Sequence, residues 1–237
     1  MRRAPDRRKA AGAGLPGQAR PPPRRRLGAP PRLRWYAGPD LAATLLILAG
    51  GASRRMGRPK ALLPAGDTTL IEWVARRLAP AFAHLLVAAR DDAHLPPGLR
   101  PHLVVDLHPG AGPLAGVEAG LRASPHDVVV AVACDMPAVT PGLAERLLRA
   151  AAEPGGSGWP DAAVPRVAGR PQPACAAYRR SAAEPIGAAL TAGSRRAVDA
   201  LAGLRVRWMD EEDPALFVNL NTPDDYLAFV RTLERSP

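Results

Sequence analysis

Four short stretches, residues 45–49, 85–89, 103–105 and 128–133, are apolar at successive positions rather than at alternate ones. A strand hydrophobic on both faces must be covered on both faces, and a parallel sheet held between two layers of helices provides that cover. The intervening stretches carry helix starts. Thr69-x-x-Glu72 forms a capping box ahead of a helix ending near Leu78. Thr140-Pro141 and Thr222-Pro223 each place a capping hydroxyl before a proline at the first helical position, and Asp224-Asp225 add negative charge where the helix dipole favours it. Further helices are predicted over 113–122, 143–152 and 182–191, and later strands over 161–164 and 175–178. This alternation predicts a three-layer α/β/α, Rossmann-like fold with a mostly parallel central sheet, whose ligands bind at the carboxyl ends of the strands.

The net charge of +10 suggests a nucleic-acid partner until it is mapped along the 237 residues. Residues 1–40 hold eleven Lys and Arg against two Asp, and the rest of the chain is close to neutral. That leader also holds eight prolines and almost no periodic apolar residues, so it cannot bury enough surface to offset the entropy of ordering. Residues 1–42 are therefore expected to form a disordered Arg/Pro-rich tail, a passive extension with no specific nucleic-acid partner. An export signal needs an apolar segment soon after its basic residues, and here the first begins near Leu41. No apolar run reaches the roughly 20 residues needed to cross a bilayer. With Cys134 and Cys175 as the only cysteines, there is no disulfide framework and no zinc-like spacing, and both are expected to be buried thiols. No membrane association and a cytoplasmic location are expected.

Chemistry concentrates in four places. The first predicted strand runs into Leu48-Ala49-Gly50-Gly51-Ala52-Ser53-Arg54-Arg55-Met56-Gly57-Arg58-Pro59-Lys60, where paired glycines admit phosphate oxygens close to the backbone and Arg55 and Lys60 supply charge. Arg58-Pro59 before the lysine excludes a P-loop, and the spacing also fails the dinucleotide fingerprint G-x-G-x-x-G. Second, the strand at 128–133 delivers Asp135 at its carboxyl end in Cys134-Asp135-Met136-Pro137. A carboxylate there suits Mg²⁺, which takes one or two protein carboxylates and completes its octahedron with phosphates and water; an aspartate at a strand end also caps turns. Third comes Asp106 with Gly112-Pro113-Leu114-Ala115-Gly116. Fourth comes Val218-Asn219-Leu220-Asn221-Thr222-Pro223, in which Asn219 and Asn221 would point to one face of a strand. The five histidines, His84, His94, His102, His108 and His126, lack paired ligand spacing and are expected at the surface or in loops.

These elements, in this order, resemble the molybdenum cofactor guanylyltransferases, with their L-A-G-G-x-x-x-R-M-G-x-x-K loop, C-D-x-P, G-P-L-x-G and closing V-N-x-N-T-P-E-D runs. The resemblance spans about residues 44–230 and identifies 43–237 as a nucleotidyltransferase domain. It implies transfer of GMP from GTP to the terminal phosphate of Mo-molybdopterin, with pyrophosphate released. Arg55, Lys60 and Asp135 are then catalytic, Asp135 binds Mg²⁺, and Leu48, Ala49, Gly50, Gly51, Lys60, Asp106 and Asp135 bind the nucleotide, with loop amides from Ala49 to Gly51 on the triphosphate. Asn219 and Asn221 fall on the metal or second-substrate side, as does Arg170 in Arg170-Pro171-Gln172-Pro173. Gly193-Ser194-Arg195-Arg196 resembles the G-x-R pattern before a helix, equally readable as a solvated helix start. The family also implies transient contact with molybdenum insertion proteins or target molybdoenzymes. One departure stands out: guanylyltransferases carry an Asn near Ala88 that touches the nucleotide. A CTP-dependent cytidylyltransferase acting on the same pterin is thus the nearest alternative, and a non-catalytic nucleotide-binding regulatory module the next.

Overall fold

A computed structural model describes residues 41–50, 58–108, 110–156 and 158–235. In chain order these form β1 (Leu41–Leu48), β2 (Pro64–Ala65), β3 (Thr68–Thr69), α1 (Leu70–Leu78), β4 (Phe82–Ala89), β5 (Leu103–Val105), α2 (Pro113–Ala123), β6 (Val128–Ala133), α3 (Pro141–Ala152), β7 (Ala162–Val167), β8 (Arg170–Pro171), β9 (Cys175–Arg179), α4 (Ala183–Thr191), α5 (Ala197–Leu201), β10 (Val206–Glu211) and α6 (Pro223–Glu234). The tail expected over 1–42 lies almost wholly outside these residues.

The main sheet has the order β10-β7-β9-β6-β1-β4-β5, with β8 paired to β7 and β2 and β3 forming a separate hairpin. β1 runs parallel to both β4 and β6, β4 to β5 and β10 to β7, while β9 runs antiparallel to both its neighbours. The sheet is thus mixed but mostly parallel. Alternation along each strand sorts its side chains between two cores. Leu45, Ile47, Val87, Val130 and Val132 join Val74 and Leu78 of α1 and Leu143 and Leu147 of α3 on one face. Leu46, Leu48, Leu86, Val129 and Ala131 join Leu114, Val117 and Ile186 of α2 and α4 on the other. This is the three-layer arrangement that doubly apolar strands require.

The predicted caps are present. Thr69 Oγ1 accepts from the Glu72 amide and Thr140 Oγ1 from the Leu143 amide, while Thr222 and Asp225 form a second reciprocal box. α2 lies unusually close to the sheet. A Cβ on Gly116 would come within 3.0 Å of both Ala88 Cβ and Leu48 Cδ2, and one on Gly120 would collide with Leu46. These two glycines let the helix rest on β1 and β4, so that its first turn reaches the carboxyl rim of the sheet.

Three expectations change. β10 was not foreseen, because an edge strand with Trp208 exposed and charges at Arg207, Asp210 and Glu211 lacks a continuous apolar run. β8 is two residues long and returns from β7 through Ala168 and Gly169, both at positive φ, a two-residue hairpin turn that no apolar pattern announces. The histidines are not all peripheral. His102 is buried with Nδ1 3.1 Å from the Leu85 carbonyl oxygen, His84 lies within β4, and His126 Nδ1 is 3.0 Å from Thr44 Oγ1. His108 is in a loop as expected, with Nε2 3.3 Å from Oε2 of the buried Glu118. His94 is exposed.

Candidate active site

β1, β4 and β6 end side by side, and the chain leaves each of them into one cleft. The Leu48 carbonyl accepts from the Cys134 amide at 3.0 Å and the Ala49 amide donates to the Ala88 carbonyl at 2.8 Å, so the three strand ends are tied at the same level. The Ala49 amide is therefore consumed by the sheet and not available to phosphate, contrary to expectation; Gly50 is the first residue beyond the pairing. Gly51 and Arg55 lie outside the described residues.

One half of the cleft, about 320 Å³, is lined by Gly50, Lys60 and Asp135 among others. Lys60 opens a short 3₁₀ turn, Lys60–Leu62, which presents its side chain back toward β6. Its Nζ donates to Asp135 Oδ2 at 2.7 Å and to Asn221 Oδ1 at 2.8 Å. The Lys60 and Asp135 side chains are each 18% exposed, so the pair faces the cleft without being flooded by solvent. Asp135 is fixed by the chain around it, since its carbonyl accepts from the Leu220 amide at 2.9 Å. That bond brings the 218–222 segment to the end of β6.

Asn219 and Asn221 do not share a strand face as expected. After the 3₁₀ turn Pro214–Phe217, the Asn221 amide donates to the Asn219 carbonyl at 3.0 Å, which curls the segment out of extended pairing. Asn219 Nδ2 donates to the Phe217 carbonyl, whereas Asn221 alone reaches Lys60. Asp225 Oδ2 then accepts the amides of Asn221 and Thr222, holding Asn221 in place. Arg170 sits on β8 at the carboxyl end of β7, exposed and outside the lining of the cleft.

The other half, about 600 Å³, extends over β4 and β5 and is lined by Leu48, Ala88, Asp91, Asp106 and Gly116 among others. Asp106 follows β5, its amide donating to the Ala89 carbonyl and its Oδ1 accepting the His108 amide at 2.8 Å. Gly112 has φ +88, and a Cβ there would touch the Arg195 carbonyl at 3.4 Å; Gly193 to Arg196 therefore pack beside the Gly-Pro-Leu turn. Arg90, Asp91 and His94, which the sequence motifs do not single out, also line this half, on the loop that follows β4.

Among the described residues no group of three or more His, Cys, Asp and Glu is placed to hold a metal ion. The oxygens of Asp135 and Asn221 converge instead on one cationic nitrogen, which marks the spot as a cation position and supplies hard oxygen donors of the kind Mg²⁺ accepts. Cys134, next in the chain, is no nucleophile: burial, with the neighbouring Asp135 carboxylate adding to it, pushes its thiol up to about 12.

A family model for the MobA-like NTP transferase domain matches residues 45–209. The chain belongs to that family. Within the MobA-like family it is 40% identical over 184 residues to a molybdenum cofactor guanylyltransferase of Cereibacter sphaeroides, covering 76% of this chain and 91% of that protein. It is 37% identical over 193 residues to a probable molybdenum cofactor guanylyltransferase of Pelotomaculum thermopropionicum, covering 78% and 90% respectively. The crystal structure of molybdopterin-guanine dinucleotide biosynthesis protein A from Archaeoglobus fulgidus superimposes with a TM-score of 0.70 at 30% identity, over 81% of this chain and 99% of that one. The MobA-like match ends before Asn221, so the residue that completes the Lys60 and Asp135 cluster lies beyond it.

Proposed function

We propose that this chain is a molybdenum cofactor guanylyltransferase: it transfers GMP from GTP to the terminal phosphate of Mo-molybdopterin and releases pyrophosphate. The observation that carries the reading is the meeting of Lys60, Asp135 and Asn221, from three distant segments, at the rim of a cleft with a second, larger compartment. A phosphate oxygen of the acceptor attacks the α-phosphorus, a new P–O bond forms, and the bond from the α-phosphorus to the bridging oxygen breaks in line with it. Pyrophosphate carries away the bonding electrons. Such a transfer needs positioning and charge neutralisation rather than a covalent protein intermediate.

Lys60 neutralises the triphosphate as a point charge on a stem fixed by Asp135 and Asn221. Asp135 and Asn221 would hold Mg²⁺, which would supply charge neutralisation on the phosphate oxygens. Gly50 lines this half of the cleft, and the family resemblance gives Arg55 and the amides of Gly50 and Gly51 the same triphosphate role. Asp106 contacts the ribose or base, and Arg170 and Asn219 lie on the acceptor side. The decisive measurement is pyrophosphate release with Mg²⁺ and Mo-molybdopterin in the presence of GTP, CTP or ATP, with Asp135→Ala as control. GTP-selective release that the substitution abolishes is expected; CTP-selective release transfers the chain to the cytidylyl branch, and binding of GTP without any release makes it a regulatory module.

A further inference from the structure

The larger half of the cleft poses a recognition problem. Its apolar lining includes Leu48, Ala88 and Gly116, none of which offers a side-chain polar atom, and a Cβ on Gly116 would press to 3.0 Å of Ala88 and Leu48. A purine can lie on such a surface, but a surface of this kind does not tell guanine from hypoxanthine or adenine. Side-chain discrimination must come from polar residues elsewhere in the lining. Two carboxylates stand there. Asp106 follows β5 level with the last residue of β4, through its amide bond to the Ala89 carbonyl. Asp91 stands two residues beyond the end of β4 and lines the same compartment.

Resting on the guanylyltransferase reading, we infer that Asp91 reads the guanine base, accepting the N1–H and the exocyclic N2–H of its Watson–Crick edge. Guanine differs from hypoxanthine by that exocyclic amine, and an ionised carboxylate accepts two parallel N–H donors as a fork. The Asp91 side chain is half exposed and anchored through one oxygen, since Oδ1 accepts the Ala93 amide at 3.0 Å. Its turn keeps the carboxylate on the rim while Oδ2 is outside that bond. His94, on the same loop, lies 3.9 Å from Oδ1 and lines both halves of the cleft. Adenine and cytosine present an acceptor nitrogen where guanine presents N1–H, so a carboxylate there repels them as it attracts guanine.

Asp91→Asn is the informative variant, because asparagine still accepts the Ala93 amide and keeps the turn but replaces one acceptor by a donor. Pyrophosphate release and nucleotide binding are compared for GTP, ITP and XTP in the wild type, in Asp91→Asn and in Asp92→Asn, a neighbouring charge outside the cleft lining. The wild type is expected to favour GTP over ITP by about tenfold or more, the scale of a hydrogen bond to a charged group. Asp91→Asn should bring that ratio close to one, chiefly through KM. It should also gain XTP, whose C2 carbonyl matches the new amide donor; Asp92→Asn should behave as wild type. A variant that keeps the wild-type GTP to ITP ratio and gains no XTP overturns the assignment of Asp91 while leaving the guanylyltransferase reading standing, as does a wild type that favours GTP over CTP but treats GTP and ITP alike. A wild type selective for CTP overturns both.

Discussion

The two ends of the central sheet carry polar clusters of opposite character. At the carboxyl rim, Lys60, Asp135 and Asn221 meet across a cleft, each charge partly open to what enters. At the amino rim the groups close on one another. Thr44 Oγ1 lies 2.8 Å from Ser124 Oγ, Ser124 Oγ donates to the His126 carbonyl, and Arg180 donates to the carbonyls of both Ser124 and His126. Beside them Asp161, buried ahead of β7, accepts from Arg205 through both carboxylate oxygens, from the Arg205 amide and from Ser181. These amino-rim groups satisfy one another at the strand starts; the carboxyl-rim trio is held in place from behind and borders the cleft. Polar residues at strand ends thus mean different things according to whether their partners lie within the fold.

The sharpest way to break that contrast is to remove one residue from each rim. Lys60→Ala should cost roughly 10²- to 10³-fold in kcat/KM for pyrophosphate release, the scale seen when a fixed charge is withdrawn from a transition state, with little change in thermal midpoint. Asp161→Ala should do the reverse. It removes the buried acceptor of the Arg205 and Ser181 hydrogen bonds, lowers stability by about 1–3 kcal/mol in urea titration, and leaves kcat/KM unchanged. Equal losses of activity in both variants would erase the distinction.

Acid titration sharpens it further. Hydrogen bonds from the Arg205 guanidinium, aided by Ser181 and opposed by burial, hold Asp161 down at about 2. Its stabilisation is therefore complete above the ordinary aspartate range near 4 and is lost as the pH falls toward 2; Asp161→Asn should flatten that limb of the curve. The smallest effect belongs to the histidines. Burial lowers His102, His84 and His126, with His126 and His102 adding to His84 and Arg180 adding to His126. The unfolded chain then takes up more protons just below pH 6.5, so stability should fall on acidification through that range. His102→Gln should reduce the slope by a fraction, read from melting temperatures between pH 7 and 5.

Much of this architecture was legible because it obeys local rules. Strands apolar on both faces, such as Val128–Ala133, can only be interior to a covered sheet, and Thr69, Thr140 and Thr222 mark helix starts through their own hydroxyls. Asp135 was legible for the same reason, since a carboxylate that ends such a strand must emerge at the rim. What escaped depends on partners distant in sequence. His102 gives no local sign of burial, because the carbonyl that receives it belongs to Leu85. The curl at Asn219 is set by the 3₁₀ turn before it and by the Leu220 bond to β6, neither of which alternation can reveal. β10 is an edge strand held by one neighbour, β7, and its pattern is that of a solvent-facing surface.

The reach of Lys60 to Asn221, across 161 positions, has a consequence for the order in which the molecule is made. Every described strand has been synthesised once Glu211 is joined to the chain. In a nascent protein that has emerged to that point, Lys60 still lacks the Asn221 oxygen, the Asp135 carbonyl still lacks the Leu220 amide, and one core still lacks Phe217. The corner where Lys60, Asp135 and Asn221 meet therefore closes only after every described strand has been made.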